Sequence, residues 1–85
     1  MRVRVVEVRG RCPVHRPGDE FRIEGGFVVE GRVCLHALLA MAAVAWALGH
    51  GHSPGDLGFS GPVRVRCPDP GPPLGSGSVT FELEP

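Results

Sequence analysis

Three cysteines are the side chains of this 85-residue chain best suited to hold a metal or to do redox chemistry, and each has a potential partner close by. They read Cys12-Pro13-Val14-His15, Cys34-Leu35-His36 and Cys67-Pro68-Asp69. Structural zinc asks for about four thiolate or imidazole ligands in a tetrahedron. Cys12 and His15 can offer two of them from one turn, and Cys34 and Cys67 complete a Cys₃His set if the fold brings them together. On that reading the ion is zinc or iron, or the thiols form a redox centre. The competing expectation is three packed thiols and no cofactor, because free cysteine is among the most buried residue types. Closely spaced ligand pairs usually come in twos at structural zinc sites, and this chain has only the Cys12/His15 pair.

Cys34 invites a second reading, since a thiol at the start of a helix meets the positive end of the dipole and gains nucleophilicity. A Cys–His pair would have to draw on His15, His50 or His52, because His36 sits too near along the same helix to face the thiol. No acid or oxyanion element accompanies it, so a packed cysteine is preferred to a catalytic one. His50 and His52 alternate with glycine and could chelate a metal weakly, but histidines after a helix also suit the negative end of its dipole. Asp19 and Glu20 fit a turn better than an acid–base pair, and Asp69 fits a loop carboxylate accepting backbone hydrogen bonds. Trp46, in an alanine-rich run, reads as core or interface. The glycines from Gly71 to Gly77 lead into a strand, which is the wrong context for cradling phosphate.

The whole chain, residues 1–85, is sized for one domain with one small core. Domains of this size usually add a metal, a disulfide or a partner subunit. Nine arginines balance nine acids and lysine is absent, so nothing in the overall charge favours nucleic acid or an anionic membrane. Charges interrupt the first residues where a secretory signal would need an apolar run, and a cytoplasmic location is expected. Thiols stay reduced there, and an odd count argues against a disulfide framework.

The elements that must position these residues follow from periodicity. Residues 2–9 alternate as a strand and change phase at Val5-Val6, the mark of a bulge. Pro17-Gly18-Asp19 then turns the chain into a second strand, 20–24, with Phe21 and Ile23 inward, until Gly25-Gly26 breaks it. Residues 33–48 carry no formal charge and are rich in helix formers, with Gly49 placed to stop the helix. That stretch is too short for a membrane span. Being apolar nearly all round, it should be buried on two sides, by a sheet on one and a second subunit on the other. Met41, Val44, Ala45, Leu48 and Trp46 are the candidates for the second surface. Strands at 62–67, with Val63, Val65 and Cys67 inward, and at 79–84, with Val79, Phe81 and Leu83 inward, form an antiparallel hairpin across the long loop 68–76. The expected architecture is α+β: a small β-β-α-β-β domain with one buried helix on a mainly antiparallel sheet. The expected function is a homo-oligomeric binding or interaction module without catalytic activity, joined as a dimer or higher oligomer through the helix 33–48. The alternative is a metal-binding or thiol-redox protein using the three cysteines.

In its ordered elements the chain resembles a small family of short prokaryotic proteins without an assigned activity. The shared elements read Gly10-Arg11-Cys12, Gly18-Asp19-Glu20-Phe21, Cys34 opening the apolar helix, and Cys67-Pro68-Asp69 before the last strand. The resemblance supports the element boundaries and the three cysteines and implies no function. Two departures stand out: the family pattern follows Cys-x-Asp with a short turn containing Arg-Pro, where this chain has the longer, arginine-free stretch 70–78, and none of its four histidines belongs to the pattern.

Overall fold

The computed structural model describes residues Met1–Pro85. Its elements are β1 (Arg2–Gly10), β2 (Glu20–Glu24), β3 (Val28–Glu30), α1 (Leu35–Gly49), a 3-10 turn (Gly55–Leu57), β4 (Val63–Arg66) and β5 (Gly77–Glu84). The strands form one sheet in the order β3-β2-β1-β5-β4, with every neighbouring pair antiparallel. The helix packs on one face, so the α+β expectation holds. No helix is long and apolar enough to cross a membrane.

Alternation along the strands decides which face the helix covers. Val3, Val5, Phe21, Ile23, Val63, Val79, Phe81 and Leu83 are all buried on the helix side. The phase change in β1 is a bulge: the pairing of β1 with β5 shifts between Val5 and Glu7, leaving Val6 without a direct partner. That extra residue returns Val8 to the core side, opposite Val79. At the centre Phe81 is fully buried, and removing such a ring from water contributes about 1.5–3 kcal/mol.

One strand escapes the sequence reading. Gly25-Gly26 ends β2, but the chain turns there and returns as the three-residue β3, pairing Ile23 with Val29. With Val28 exposed and Val29 only half-buried, this short edge strand carries too little alternation to be seen in advance.

The helix starts two residues later than the apolar run, with Cys34 as its N-cap. Ala37, Met41, Ala45 and Leu48 recur at helical spacing and face the sheet. Leu35, Leu39 and Trp46 point away and are 73%, 71% and 50% exposed. The expected outward surface is thus corrected: Met41, Ala45 and Leu48 belong to the core and Val44 is half-buried, leaving Trp46 alone of that group facing outward. A helix apolar all round carries no amphipathic signal to orient it. Gly49 also has a different role from a terminator. It is the last helical residue, and the left-handed residue beyond it is Gly51, with φ 96°. What demands glycine at position 49 is space, since a Cβ there would lie 2.5 Å from the Gly26 backbone nitrogen.

The opposite sheet face carries the charges. Arg64 and Arg4 both pair with Glu82, at 3.1 Å each, and Arg2 bridges Glu84 at 2.6 Å and Glu20 at 3.0 Å. These pairs run across β4, β5, β1 and β2 as a ladder of opposite charges. Arg2, Arg4 and Arg64, which interrupt the apolar runs in the sequence, are therefore compensated at the surface.

Candidate functional site: a cavity lined by the three cysteines

Three segments far apart in the chain meet at one end of the helix–sheet interface. They are the turn after β1, the N-cap of α1, and the start of the loop after β4. Each contributes one cysteine to the wall of a single cavity of about 270 Å³. Ala37, Val79 and Phe81 form its apolar floor, while His36 and Asp69 complete the polar wall. All three thiols are free and half-buried.

Local backbone geometry holds each cysteine differently. Pro13 fixes the first step of the 12–15 turn, and the chain wraps round the sulfur so that Cys12 Sγ accepts N–H bonds from Val14 at 3.5 Å and His15 at 3.3 Å. Cys67, one residue past β4, has a sulfur that accepts the Val79 N–H at 3.2 Å and lies 3.8 Å from the Gly77 carbonyl oxygen. Cys34 has extended dihedrals, φ −68° and ψ 130°, as an N-cap should, but its side chain makes no capping bond.

The helix start is held instead by His15. Its Nε2 accepts the Cys34 N–H at 3.1 Å. An imidazole nitrogen that accepts an N–H carries no proton, so the ring is neutral with its hydrogen on Nδ1. It is 3% exposed and stands edge-on to Phe81, with ring centroids 5.1 Å apart. Burial pushes its pKa below the ordinary histidine value; the Asp19 charge opposes that shift and the Arg32 charge adds to it. Sequence reasoning named His15 as the fourth metal ligand. The structure does bring it to the cysteine cavity, where its Nε2 is engaged with backbone.

Among the remaining sequence candidates, Asp69 holds the long loop. Its Oδ1 accepts N–H bonds from Gly71 at 2.8 Å and Ser76 at 3.1 Å. The Gly71 bond is the largest cause of a carboxyl pKa held below its usual value, with the Ser76 bond adding to it and desolvation opposing. Asp19 caps the turn before β2, accepting the Arg16 N–H at 3.0 Å. His50 joins an aromatic cluster with Trp46 and Phe27, at centroid distances of 4.0 and 4.8 Å, and its Nδ1 lies 2.6 Å from the Trp46 carbonyl oxygen. It is committed there rather than to a chelating pair with His52.

The cavity sets sulfur around a space instead of around a point. No group of three or more Cys, His, Asp or Glu side chains is arranged as a preformed metal site. Chemically the site is a small, mostly apolar recess with three soft nucleophilic atoms on its wall. The sequence missed the closing wall at Ser76–Gly77, where a Cβ on Gly77 would collide with the Arg11 carbonyl; a glycine-rich loop gives no hint of such an approach. Comparison of the chain with family models, with curated proteins and with solved structures gives no match in any of the three.

Proposed function

We propose that the protein is a non-catalytic binding module that works as a homo-oligomer, with the cysteine-lined cavity as its ligand site. The observation that carries this reading is the meeting of Cys12, Cys34 and Cys67, from three separate segments, on one recess of about 270 Å³. Such a volume suits a ligand smaller than most drug-sized molecules, which occupy about 300–1,000 Å³. A binding role is favoured over catalysis because His15 offers its basic nitrogen to the Cys34 backbone rather than to the thiol. The exposed side chains Leu35, Leu39 and Trp46 along an uncharged helix supply the self-association surface.

A thermal-shift screen of the reduced protein against small molecules and thiophilic ions tests the reading. Ala37 lies on the cavity floor and is 1% exposed, so Ala37→Met fills the recess from within. Ligands that raise the melting temperature of the wild type and lose that effect in Ala37→Met support the assignment. Equal shifts in both proteins refute it.

A further inference from the structure

Resting on the reading of the cavity as the ligand site, we infer that its occupant is a short organic carboxylate, its charged end held by the start of α1 and the Nδ1–H of His15 and its apolar tail laid on Ala37, Val79 and Phe81.

The charged end follows from donors that the protein leaves without acceptors. In α1 the first backbone N–H bonded back along the chain is that of Leu38, which donates to the Cys34 carbonyl at 3.0 Å. The N–H groups of Leu35, His36 and Ala37 donate to nothing within the protein, and the Cys34 side chain does not cap them. Of the three residues, Ala37 is only 1% exposed and lies on the cavity floor. A buried N–H without a partner is destabilising, and an acceptor in the cavity would satisfy it. His15 supplies a second donor from a different part of the chain. Its Nε2 takes the Cys34 N–H, which leaves the proton on Nδ1, and Nδ1 has no acceptor in the protein. The ring is 3% exposed, yet Arg4 Nε is the one sealed side-chain nitrogen or oxygen without a partner. Nδ1 therefore reaches open space, and the open space that His15 borders is this cavity.

The sign of the ligand follows from the same wall. A 15-residue helix presents the positive end of its dipole at Cys34, where an anion is favoured. Arg11 stands on the wall outside every ion pair of the molecule. The wall's own carboxylate, Asp69, is turned to its loop: Oδ1 accepts from Gly71 at 2.8 Å and Ser76 at 3.1 Å, and Oδ2 from Ser76 at 3.3 Å. A carboxylate ligand has two oxygens to answer two donors, and the apolar floor suits an alkyl or aryl tail. The sulfurs of Cys12 and Cys67 keep their backbone N–H bonds, since no thiol has to move.

The test is a titration of the reduced full-length protein with hexanoate, followed by amide and imidazole NMR, with hexanamide, hexylamine and inorganic phosphate as comparisons. Hexanoate should bind saturably and move the Ala37 amide and His15 Nδ1 resonances. Each comparison compound lacks either the negative charge or the tail, and should bind about tenfold more weakly or worse. His15→Phe, checked for folding by circular dichroism, removes one donor and should weaken hexanoate several-fold. Arg11→Gln changes an exposed side chain, leaves the fold intact and should also weaken it. A comparison compound that binds as tightly as hexanoate, or hexanoate binding that leaves the Ala37 amide and the His15 ring unmoved, overturns the inference. If hexanoate fails while neutral molecules still give melting shifts abolished by Ala37→Met, the cavity reading stands and the carboxylate assignment alone falls. Failure of both takes the cavity reading with it.

Discussion

Replacing His15 with Phe should separate the structural work of this buried imidazole from any role as a ligand. A phenyl ring keeps the packing against Phe21 and Phe81 but cannot accept the Cys34 N–H. Leaving a half-buried donor without its partner costs about 1–3 kcal/mol. For a small domain with a urea m-value near 1 kcal/mol/M, the unfolding midpoint at pH 8 should fall by about 1 M or more. The dependence on pH is the sharper part. Burial lowers the folded-state pKa of His15 below the unfolded value near 6.5, so the unfolded chain takes up the proton first as pH drops. The His15 contribution is thus complete above about pH 6.5, declines as pH falls through the folded-state pKa, and levels off below it. Urea titrations of wild type and His15→Phe at intervals from pH 8 to pH 4.5 should show the difference between the two proteins shrinking as the solution is acidified. His15→Gln, which carries an amide oxygen near the position of Nε2, should recover part of the stability at pH 8 without the titration. A His15→Phe protein as stable as the wild type at pH 8, or a difference that does not change with pH, would refute the assignment of His15 as a neutral pin for the helix start.

Gly49→Ala should destabilise the protein, although alanine gains about 1 kcal/mol of helix propensity, because its Cβ meets the Gly26 backbone at 2.5 Å; chemical denaturation reads the sign directly. Leu39→Glu places a charge on the open helix face and, if the proposed self-association holds, should convert the protein to monomer in light scattering at micromolar concentration, with stability changed by no more than about 0.5 kcal/mol once compared as monomers. A wild type that is already monomeric there contradicts the self-association proposal. Glu82→Ala removes the shared partner of Arg4 and Arg64, whose side chains are 41% and 56% exposed, and should cost about 1 kcal/mol or less in urea unfolding, with the loss shrinking further in high salt. Asp69→Ala frees the loop that closes the cavity, so a thiol reagent should modify Cys67 several-fold faster than in the wild type.

The strands announced themselves wherever one face is buried and the other solvated. Phe21/Ile23 and Val79/Phe81/Leu83 alternate against charged or polar neighbours, and even the Val6 bulge shows as a slip in that rhythm. What stayed hidden has a physical reason in each case. β3 is too short and too exposed to be patterned. The orientation of α1 was illegible because its apolar residues surround the axis, so only contact with the sheet tells Met41 from Leu39. At the site, the apolar run placed Cys34 at the helix start, where it is the N-cap, while the strand phase gave Cys67 its inward side although β4 ends one residue before it and the thiol is only half-buried. The meeting of Cys12 with them depends on the turn wrapping round its sulfur and on the close pass of Gly77, which are tertiary facts. Nor does residue type distinguish a histidine that binds a ligand from one that holds a backbone N–H.

The sheet order has a consequence for when this protein can become itself. β5 is the last strand in chain order, yet it lies between β1 and β4, and the Arg2–Glu84 pair joins residues 82 positions apart. During synthesis β1, β2 and β3 can assemble early, but the helix emerges with only part of its sheet to lie on. Pairings this distant in sequence form late and slow folding. The wall residues Gly77, Val79 and Phe81 arrive with the same final strand. A free fragment of residues 1–70, which lacks β5, should therefore leave all three thiols open to rapid alkylation, and the presence of β5 should slow that reaction. The recess cannot be complete until β5 is in place.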